Sequence, residues 1–151
     1  MYDNESTPLV GHPSSKGITP NVIRVRLSSI MVDDQQKALD FYTRILGFQV
    51  KHDIPMGGPR WLTLTSPDDP NGVELVLEPL GFEPARAWQK ALFDAGIPIT
   101  ALLAEDIHNE HRRMAALGVV FRQPPAPAGP VTLALFEDTC GNLVQLFQPR
   151  Q

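Results

Sequence analysis

Two glutamates in the segment VELVLEP are the side chains of this sequence best suited to chemistry. Side chains alternate across a β-strand, so Glu74 and Glu78 are expected on one face of a sheet. An ionised carboxylate in a dry cavity is costly unless it meets a donor, takes up a proton or reaches water. Arg24, Arg26 and Arg60 are candidate donors that the sequence does not rank. Glu74 is therefore the best candidate for a catalytic group or an anchor for a polar ligand.

The other reactive side chains do not form a recognisable catalytic or metal-binding pattern. His108 and His111 lie three residues apart on a predicted helix, without a third ligand nearby. His52 follows a predicted strand, and we expect it to be exposed or to line a rim. The single cysteine, Cys140, cannot form an internal disulfide or a thiolate cluster. The sequence has neither a G-x-S-x-G elbow nor a glycine-rich phosphate loop, so no metal ligands and no nucleophile are assigned from these patterns.

A helix over residues 33–46 must position much of the fold. Asp33 or Asp34 can cap its amino end, and Gly47 follows as a left-handed stop. Apolar residues recur at helical spacing and must be buried on one face: Ala38, Phe41, Tyr42, Ile45 and Leu46. The sequence therefore predicts an amphipathic helix that packs on a sheet.

The other helices and strands are predicted from the periodicity of apolar residues and from the turn-forming residues between them. Alternation predicts strands over residues 22–32, 49–54, 61–65, 73–79, 99–104, 119–121, 131–138 and 143–148, and helical spacing predicts helices over residues 84–95 and 106–117. The segment QPPAPAGP, residues 123–130, is too rich in proline for a central strand, so we predict a stiff loop or an edge. Residues 1–20 lack apolar periodicity and are predicted to form a flexible N-terminal arm.

The second half of the chain repeats the first. The corresponding pairs are Asp34 with Asp106, Gly47 with Gly118 and Glu74 with Gln145, which are 72, 71 and 71 positions apart. Each copy has the order strand, helix, strand, strand, strand. Two such units can pack as a symmetric pair, with helices on one side of the curved sheets and a cavity on the other. A cavity between modules is a natural place for a ligand.

The βαβββ repeat, the helix DFYTRILGF, the strand VELVLEP and the turn EDTCGN resemble the vicinal oxygen chelate superfamily. This superfamily includes glyoxalase I, extradiol dioxygenases and bleomycin-resistance proteins. The resemblance implies an α+β fold of two tandem βαβββ modules, with curved mixed sheets around a cavity and helices on the outside. It divides a single domain, residues 21–151, into module one at 22–80, a connecting helix at 84–96 and module two at 97–149.

The resemblance also implies where a metal would be held, on the first and last strands of each module. In this sequence those positions fall on Leu27, Glu74, Ile99 or Thr100, and Gln145. Glu74 and Gln145 can offer oxygen ligands, whereas Leu27 and Ile99 cannot ligate a metal. A catalytic metal needs about three protein ligands and an open position. We therefore predict no cofactor, and a divalent metal held by Glu74 and Gln145 stays as the less favoured alternative.

The predicted function is binding of a small organic molecule in the cavity, with or without its transformation. Glu74, Thr100 and Gln145 are the expected polar contacts, and Met56, Trp61 and Phe147 the expected apolar wall. The alternative is a glyoxalase-like lyase or isomerase, or a dioxygenase, that uses a metal. An ordinary solvated Glu74 and a core Trp61 are the simpler interpretation of the same residues.

Composition narrows the class of partner. The net charge of −4 and the pI near 5.5 argue against nucleic acid, and no apolar run approaches the ~20 residues of a membrane span. The amino end lacks the features of a secretory signal, so a cytoplasmic location is expected. Superfamily members often pair, and Trp88 on the connecting helix would suit a homodimer contact.

Overall fold

The structure, a computed structural model, describes residues 21–151 as two consecutive units joined by a helix. The arm predicted over residues 1–20 lies outside them. Module one contains β1 (Leu27–Val32), α1 (Gln35–Asp40, continued by a π-helical turn at Phe41–Ile45), β2 (Gln49–Pro55), β3 (Arg60–Thr65) and β4 (Glu74–Pro79). The connecting helix is α2 (Glu83–Asp94). Module two contains β5 (Thr100–Leu103), α3 (Ile107–Ala116), β6 (Phe121–Ala128), β7 (Val131–Glu137) and β8 (Leu143–Pro149).

Each module forms one four-stranded mixed sheet with the same topology. Sheet one has the order β1-β4-β3-β2, and sheet two has the order β5-β8-β7-β6. The first strand of each module runs parallel to the last, and the remaining pairs are antiparallel. The sheets do not close into a barrel. This arrangement confirms the predicted α+β fold of two βαβββ modules.

Matching caps show that the duplication extends to the ends of the helices. The Asp34 carboxylate accepts a hydrogen bond from the Lys37 N–H at 3.0 Å, and Asp106 accepts one from Asn109 at the same distance. These bonds satisfy donors that a helix leaves unpaired in its first turn. Gly47 has a φ of 82°, which is the left-handed stop that the sequence predicts.

One hydrophobic core joins the two modules. The helices cover one face of each sheet, and the buried side chains from both modules form a single cluster that includes Val32, Phe41, Tyr42, Leu62, Leu77, Met114, Phe136 and Val144. Phe41 of α1 stacks on Phe136 of β7 with ring centroids 6.3 Å apart. The opposite face of each sheet carries no helix and is called its open face. No helix within residues 21–151 is long and apolar enough to cross a bilayer.

The proline-rich segment forms an edge strand, one of the two predicted alternatives. Strand β6 pairs only with β7, and its register shifts between Gln123 and Ala126, where Pro124 and Pro125 lie. Proline cannot donate to the ladder, so this irregularity is tolerated at an edge. In sheet one, β1 is shorter than predicted and begins at Leu27.

Candidate functional site

A polar cluster of His52, Thr63 and Glu74 lies on the open face of sheet one. His52 on β2 is the register partner of Thr63 on β3. The Thr63 hydroxyl donates to Glu74 Oε1 at 2.7 Å, and His52 Nδ1 lies 3.6 Å from the same oxygen. The Glu74 side chain is only 14% exposed. A half-buried carboxylate is therefore held by a hydroxyl and faces an imidazole.

None of the three arginines proposed from the sequence pairs with Glu74. Arg60 forms a two-pronged contact with Asp53, with N···O distances of 2.9 and 2.7 Å. The guanidinium holds the pKa of the Asp53 carboxyl below its usual value. Arg26 donates to the carbonyl groups of the β3–β4 turn, including that of Asn71. Arg26 and Arg60 are thus engaged by groups other than Glu74.

His52 contributes a polar atom that the surrounding protein leaves incomplete. Its Nδ1 is buried and has no hydrogen-bond partner among the described residues. The 3.6 Å separation from Glu74 Oε1 is too long for a hydrogen bond. Buried polar atoms are almost always paired, so an unpaired one suggests a place where a ligand or water completes the contacts. From the sequence, His52 was expected to be exposed or to line a rim, because its place beside Glu74 depends on the pairing of β2 with β3.

A second carboxylate on the same open face borders an apolar pocket. Glu78, two positions beyond Val76 on β4, lines a pocket of about 270 Å³ together with Met56 and Trp61. The Ser29 hydroxyl donates to Glu78 Oε1 at 3.1 Å. The structure therefore brings Met56 and Trp61 together in one pocket, next to Glu78 and not next to Glu74. Glu74 lines a neighbouring depression of about 410 Å³.

The register of the parallel strand pairs identifies the corresponding positions of the two modules. Leu27 is opposite Glu74 in sheet one, and Ala101 is opposite Gln145 in sheet two. The counterpart of Leu27 is therefore Ala101, and not Ile99 or Thr100 as predicted.

Thr100 lies on the covered side of sheet two. Its register partner is Val144, which is fully buried in the common core. Gln145 and Phe147 lie on the open face, because they alternate with Val144 and Leu146 of the core. The other candidate residues thus divide between the two open faces, and none of the three main pockets of residues 21–151 is lined by candidates from both sheets.

The four positions where the resemblance implies metal ligands do not provide a set of ligands for a catalytic metal. Leu27 and Ala101 have no donor atoms, and the oxygen atoms of Glu74 and Gln145 belong to different sheets. Residues 21–151 contain no group of three or more His, Cys, Asp or Glu side chains arranged to hold an ion. Two oxygen ligands fall short of the usual set. The residues present therefore do not fit the metal that the resemblance implies.

A buried polar network joins the modules behind the open faces. The Tyr42 hydroxyl donates to Asp138 Oδ2 at 2.8 Å across 96 positions of sequence. Asn142 donates to the same carboxylate and to the Met31 carbonyl, and Gln89 of α2 donates to that carbonyl at 2.9 Å. Every partner in this network is a group of the chain itself. We assign it to structure, not to ligand binding.

The thiol of Cys140 belongs to this same region and is not activated. Its side chain is fully buried in the common core. Burial, with the nearby Asp138 carboxylate, raises its pKa to about 12. A thiol of this kind remains protonated near neutral pH and is a poor nucleophile.

Comparisons with known proteins give matches over most of the chain. The profile of the family described as "Glyoxalase/Bleomycin resistance protein/Dioxygenase superfamily" matches residues 23–146. The uncharacterized protein YurT of Bacillus subtilis (strain 168) is 48% identical over 126 residues, which is 83% of this chain and 99% of that protein.

Two solved structures are similar in fold and in sequence. The crystal structure of UcmS2 has a TM-score of 0.73 and 32% identity, covering 84% of this chain and 98% of that one. TnmS3, an antibiotic binding protein from Streptomyces sp. CB03234, has a TM-score of 0.70 and 27% identity, covering 87% of this chain and 100% of that one.

Proposed function

Because the chain belongs to the Glyoxalase/Bleomycin resistance protein/Dioxygenase superfamily, we propose that it binds a small organic molecule on the open face of sheet one. The ligand would lie across the pocket of Met56, Trp61 and Glu78 and reach the cluster around Glu74. No metal takes part in this proposal. Glu74 acts as a polar anchor, and Trp61 supplies the largest apolar surface.

The arrangement of the carboxylates carries the proposal. Glu74 and Glu78 are partly buried on one face, and neither forms an ion pair with Lys or Arg among the described residues. Each accepts a hydrogen bond from a neutral hydroxyl instead. Carboxylates held in this way beside an aromatic side chain resemble the few polar groups that orient a ligand in an apolar pocket.

The similarity to an antibiotic binding protein supports binding over catalysis. TnmS3 shares 27% of its residues with this chain and its whole length aligns. A binding or sequestration protein requires a shaped surface but no general acid, base or metal. The metal-dependent lyase, isomerase or dioxygenase requires ligands that Leu27 and Ala101 do not provide.

Trp61 makes ligand binding directly measurable. In a Trp88→Phe variant, Trp61 is the remaining tryptophan, so quenching of fluorescence reports on the proposed pocket. Compounds from a metabolite and antibiotic panel that bind by native mass spectrometry are expected to quench this signal. Glu74→Gln and Glu78→Gln should each weaken binding by about tenfold, the loss of one charge-assisted hydrogen bond.

Glu83→Gln is the matched control, since Glu83 is an exposed carboxylate on α2 and lines neither of these depressions. Its affinity for the same compound should equal that of the parent. Binding that is insensitive to both glutamate variants, and that leaves the Trp61 signal unchanged, would place the ligand elsewhere and contradict the proposal.

The metal question has its own measurement. Protein incubated with zinc, nickel, manganese and iron salts and then desalted should retain substoichiometric metal by elemental analysis. Retention of about one equivalent that is lost in a Glu74→Gln, Gln145→Ala variant would overturn the metal-free proposal and restore the metal-dependent alternative.

We also propose that the protein forms a homodimer through the exposed face of α2. Trp88 is 53% exposed and Phe82, just before the helix, is 67% exposed. Aromatic side chains of this kind are typical of interface centres. Sedimentation should show a dimer for the parent and a monomer for Trp88→Glu, and identical monomeric mass for both would exclude this interface.

A further inference from the structure

The modules meet at two places that the internal repeat makes equivalent, and the side chains of residues 21–151 fill one of them. At the first junction, the β7–β8 turn packs on the end of β1. The amide of Gln89, supplied by α2, donates to the Met31 carbonyl at 2.9 Å and to the Cys140 carbonyl at 3.3 Å. Gln89 is 6% exposed, so this amide fills the space between the modules.

The second junction, between the β3–β4 turn and the end of β5, is an open cleft of about 650 Å³. Among residues 21–151, no side chain occupies this junction as Gln89 occupies the first. The cleft volume falls within the range of small-molecule sites. Phe48 of module one and Leu102 and Leu146 of module two form part of an apolar floor.

The rim of this cleft is acidic. Asp68 comes from module one, and Glu105, Asp106 and Glu110 come from module two. The one basic side chain among the lining residues, Arg113, is engaged by Glu110 at 2.5 Å and by the Ile45 carbonyl at 2.8 Å. Neither Asp68 nor Glu105 has an ion-pair partner within the described part of the chain. The cleft therefore has an excess of negative charge above its apolar floor.

The start of α3, which borders the cleft, does not offer an anion site. The Ile107 N–H donates to Gln148 Oε1 at 2.9 Å, and the Asn109 N–H donates to Asp106 at 3.0 Å. These donors would otherwise favour a negatively charged ligand. With them satisfied, the carboxylates determine the sign of the preferred ligand.

We propose that this cleft is a second ligand site, separate from the open face of sheet one, and that it binds a small organic amine. The apolar body of the amine contacts Phe48, Leu102 and Leu146, and its ammonium group lies between Asp68 and Glu105. Because the two walls belong to different modules, a bound amine also strengthens their association.

Three probes of equal size and different charge test the proposal: 4-phenylbutylamine, 4-phenylbutanol and 4-phenylbutyrate. In amide NMR spectra the amine should shift the signals of Ser66, Asp68 and residues 102–106 and bind about fivefold more tightly than the alcohol. Added salt should weaken binding of the amine and leave binding of the alcohol unchanged. The amine should also raise the unfolding temperature.

The Asp68→Asn, Glu105→Gln double variant should remove the preference for the amine. Asn109→Arg provides a second variant at an exposed helix position, because it places a competing cation at the rim. Glu83→Gln, which removes an exposed charge on α2, is the matched control and should bind like the parent. Equal binding of all three probes, shifts confined to sheet one, or no binding at about 10 mM of probe would overturn the proposal.

Discussion

Asp138 shows how the fold holds a buried carboxylate without a cation. Its Oδ1 accepts the backbone N–H groups of Cys140 and Asn142 at 2.8 and 3.0 Å. Its Oδ2 accepts the Tyr42 hydroxyl and the Asn142 amide, both at 2.8 Å. Burial nevertheless raises the pKa of this carboxyl above 3.8, because desolvation outweighs the four hydrogen bonds. The first junction is therefore specific in geometry and sensitive to protonation.

The raised pKa of Asp138 predicts the sign of a pH effect on stability. The stability that Asp138 contributes is fully present below its unfolded-state pKa of 3.8. It is lost as the pH rises through the higher pKa of the folded state. Urea unfolding from about pH 3 to pH 7 should show the parent losing stability relative to Asp138→Asn as the pH rises.

Asp53→Asn is the control with the opposite sign. Arg60 lowers the pKa of Asp53, so the stability that this pair contributes is present at neutral pH and is lost as the pH falls. If the stability of the parent relative to Asp138→Asn stayed constant or rose with pH, the buried carboxylate would not be desolvated as described.

Cys140 should be unreactive while the protein is folded. With a pKa of about 12, roughly one thiol in 10,000 is ionised at pH 8, and the side chain is also inaccessible. Ellman's reagent should therefore label it only after the chain is unfolded in guanidinium chloride. Stoichiometric labelling within minutes in native buffer would show that this region opens readily.

At the scale of the elements, local patterns predicted what local interactions determine. The helix over 33–46 and its stop at Gly47 follow from capping, period and the left-handed glycine, and the structure begins α1 at Gln35. The opening-strand position of module two was predicted at Ile99 or Thr100, but Ala101 is the residue opposite Gln145. A one-residue shift reverses which face a strand residue occupies, so Thr100 lies on the covered side. The cluster at His52 depends on pairing between β2 and β3, which no local pattern specifies.

The sequence likewise did not predict hydrogen bonds between residues that are far apart in the chain. Tyr42 was correctly predicted on the buried face of α1, but its hydroxyl pairs with Asp138 of the other module. Gln89 has no distinguishing local pattern, yet it fills the first junction. Whether Glu74 meets an arginine, a histidine or water depends on sheet curvature and competition among partners. The fold was therefore more predictable than the site.

The turn between β7 and β8 contains a strained residue that offers a stabilising substitution. Thr139 has a φ of 66°, which is unfavourable for a β-branched side chain. Thr139→Gly should raise the free energy of unfolding by about 0.5–1 kcal/mol, measured with urea, since relief of strain exceeds the added chain entropy.

Gly141 in the same turn is the matched contrast. Its φ is 96°, and an added Cβ would lie 2.7 Å from Gln89 Oε1. Gly141→Ala should therefore destabilise the protein. A stabilising Gly141→Ala, or a destabilising Thr139→Gly, would mean that the turn does not hold these conformations in solution.

At the scale of the whole molecule, the two modules share one core even though their sheets are separate. Phe41 and Tyr42 of module one pack with Phe136 of module two. The Arg113 guanidinium adds a hydrogen bond at 2.8 Å to the Ile45 carbonyl of the other module. Neither module can bury its helix surface fully without the other. The open faces can therefore vary in ligand chemistry while the shared interior maintains the fold.

This shared core predicts that the modules unfold together. Phe136→Ala in module two should cost about 3–5 kcal/mol, because it removes a fully buried ring and leaves a cavity. In a Trp88→Phe background, Trp61 fluorescence reports on module one, and far-UV circular dichroism reports on both modules. The two transitions should coincide and shift by the same amount in urea.

If Trp61 kept its original midpoint while the dichroism became biphasic, the modules would be independent folding units. Coincident shifts would instead mean that a ligand at either open face, or in the cleft between modules, stabilises the entire chain.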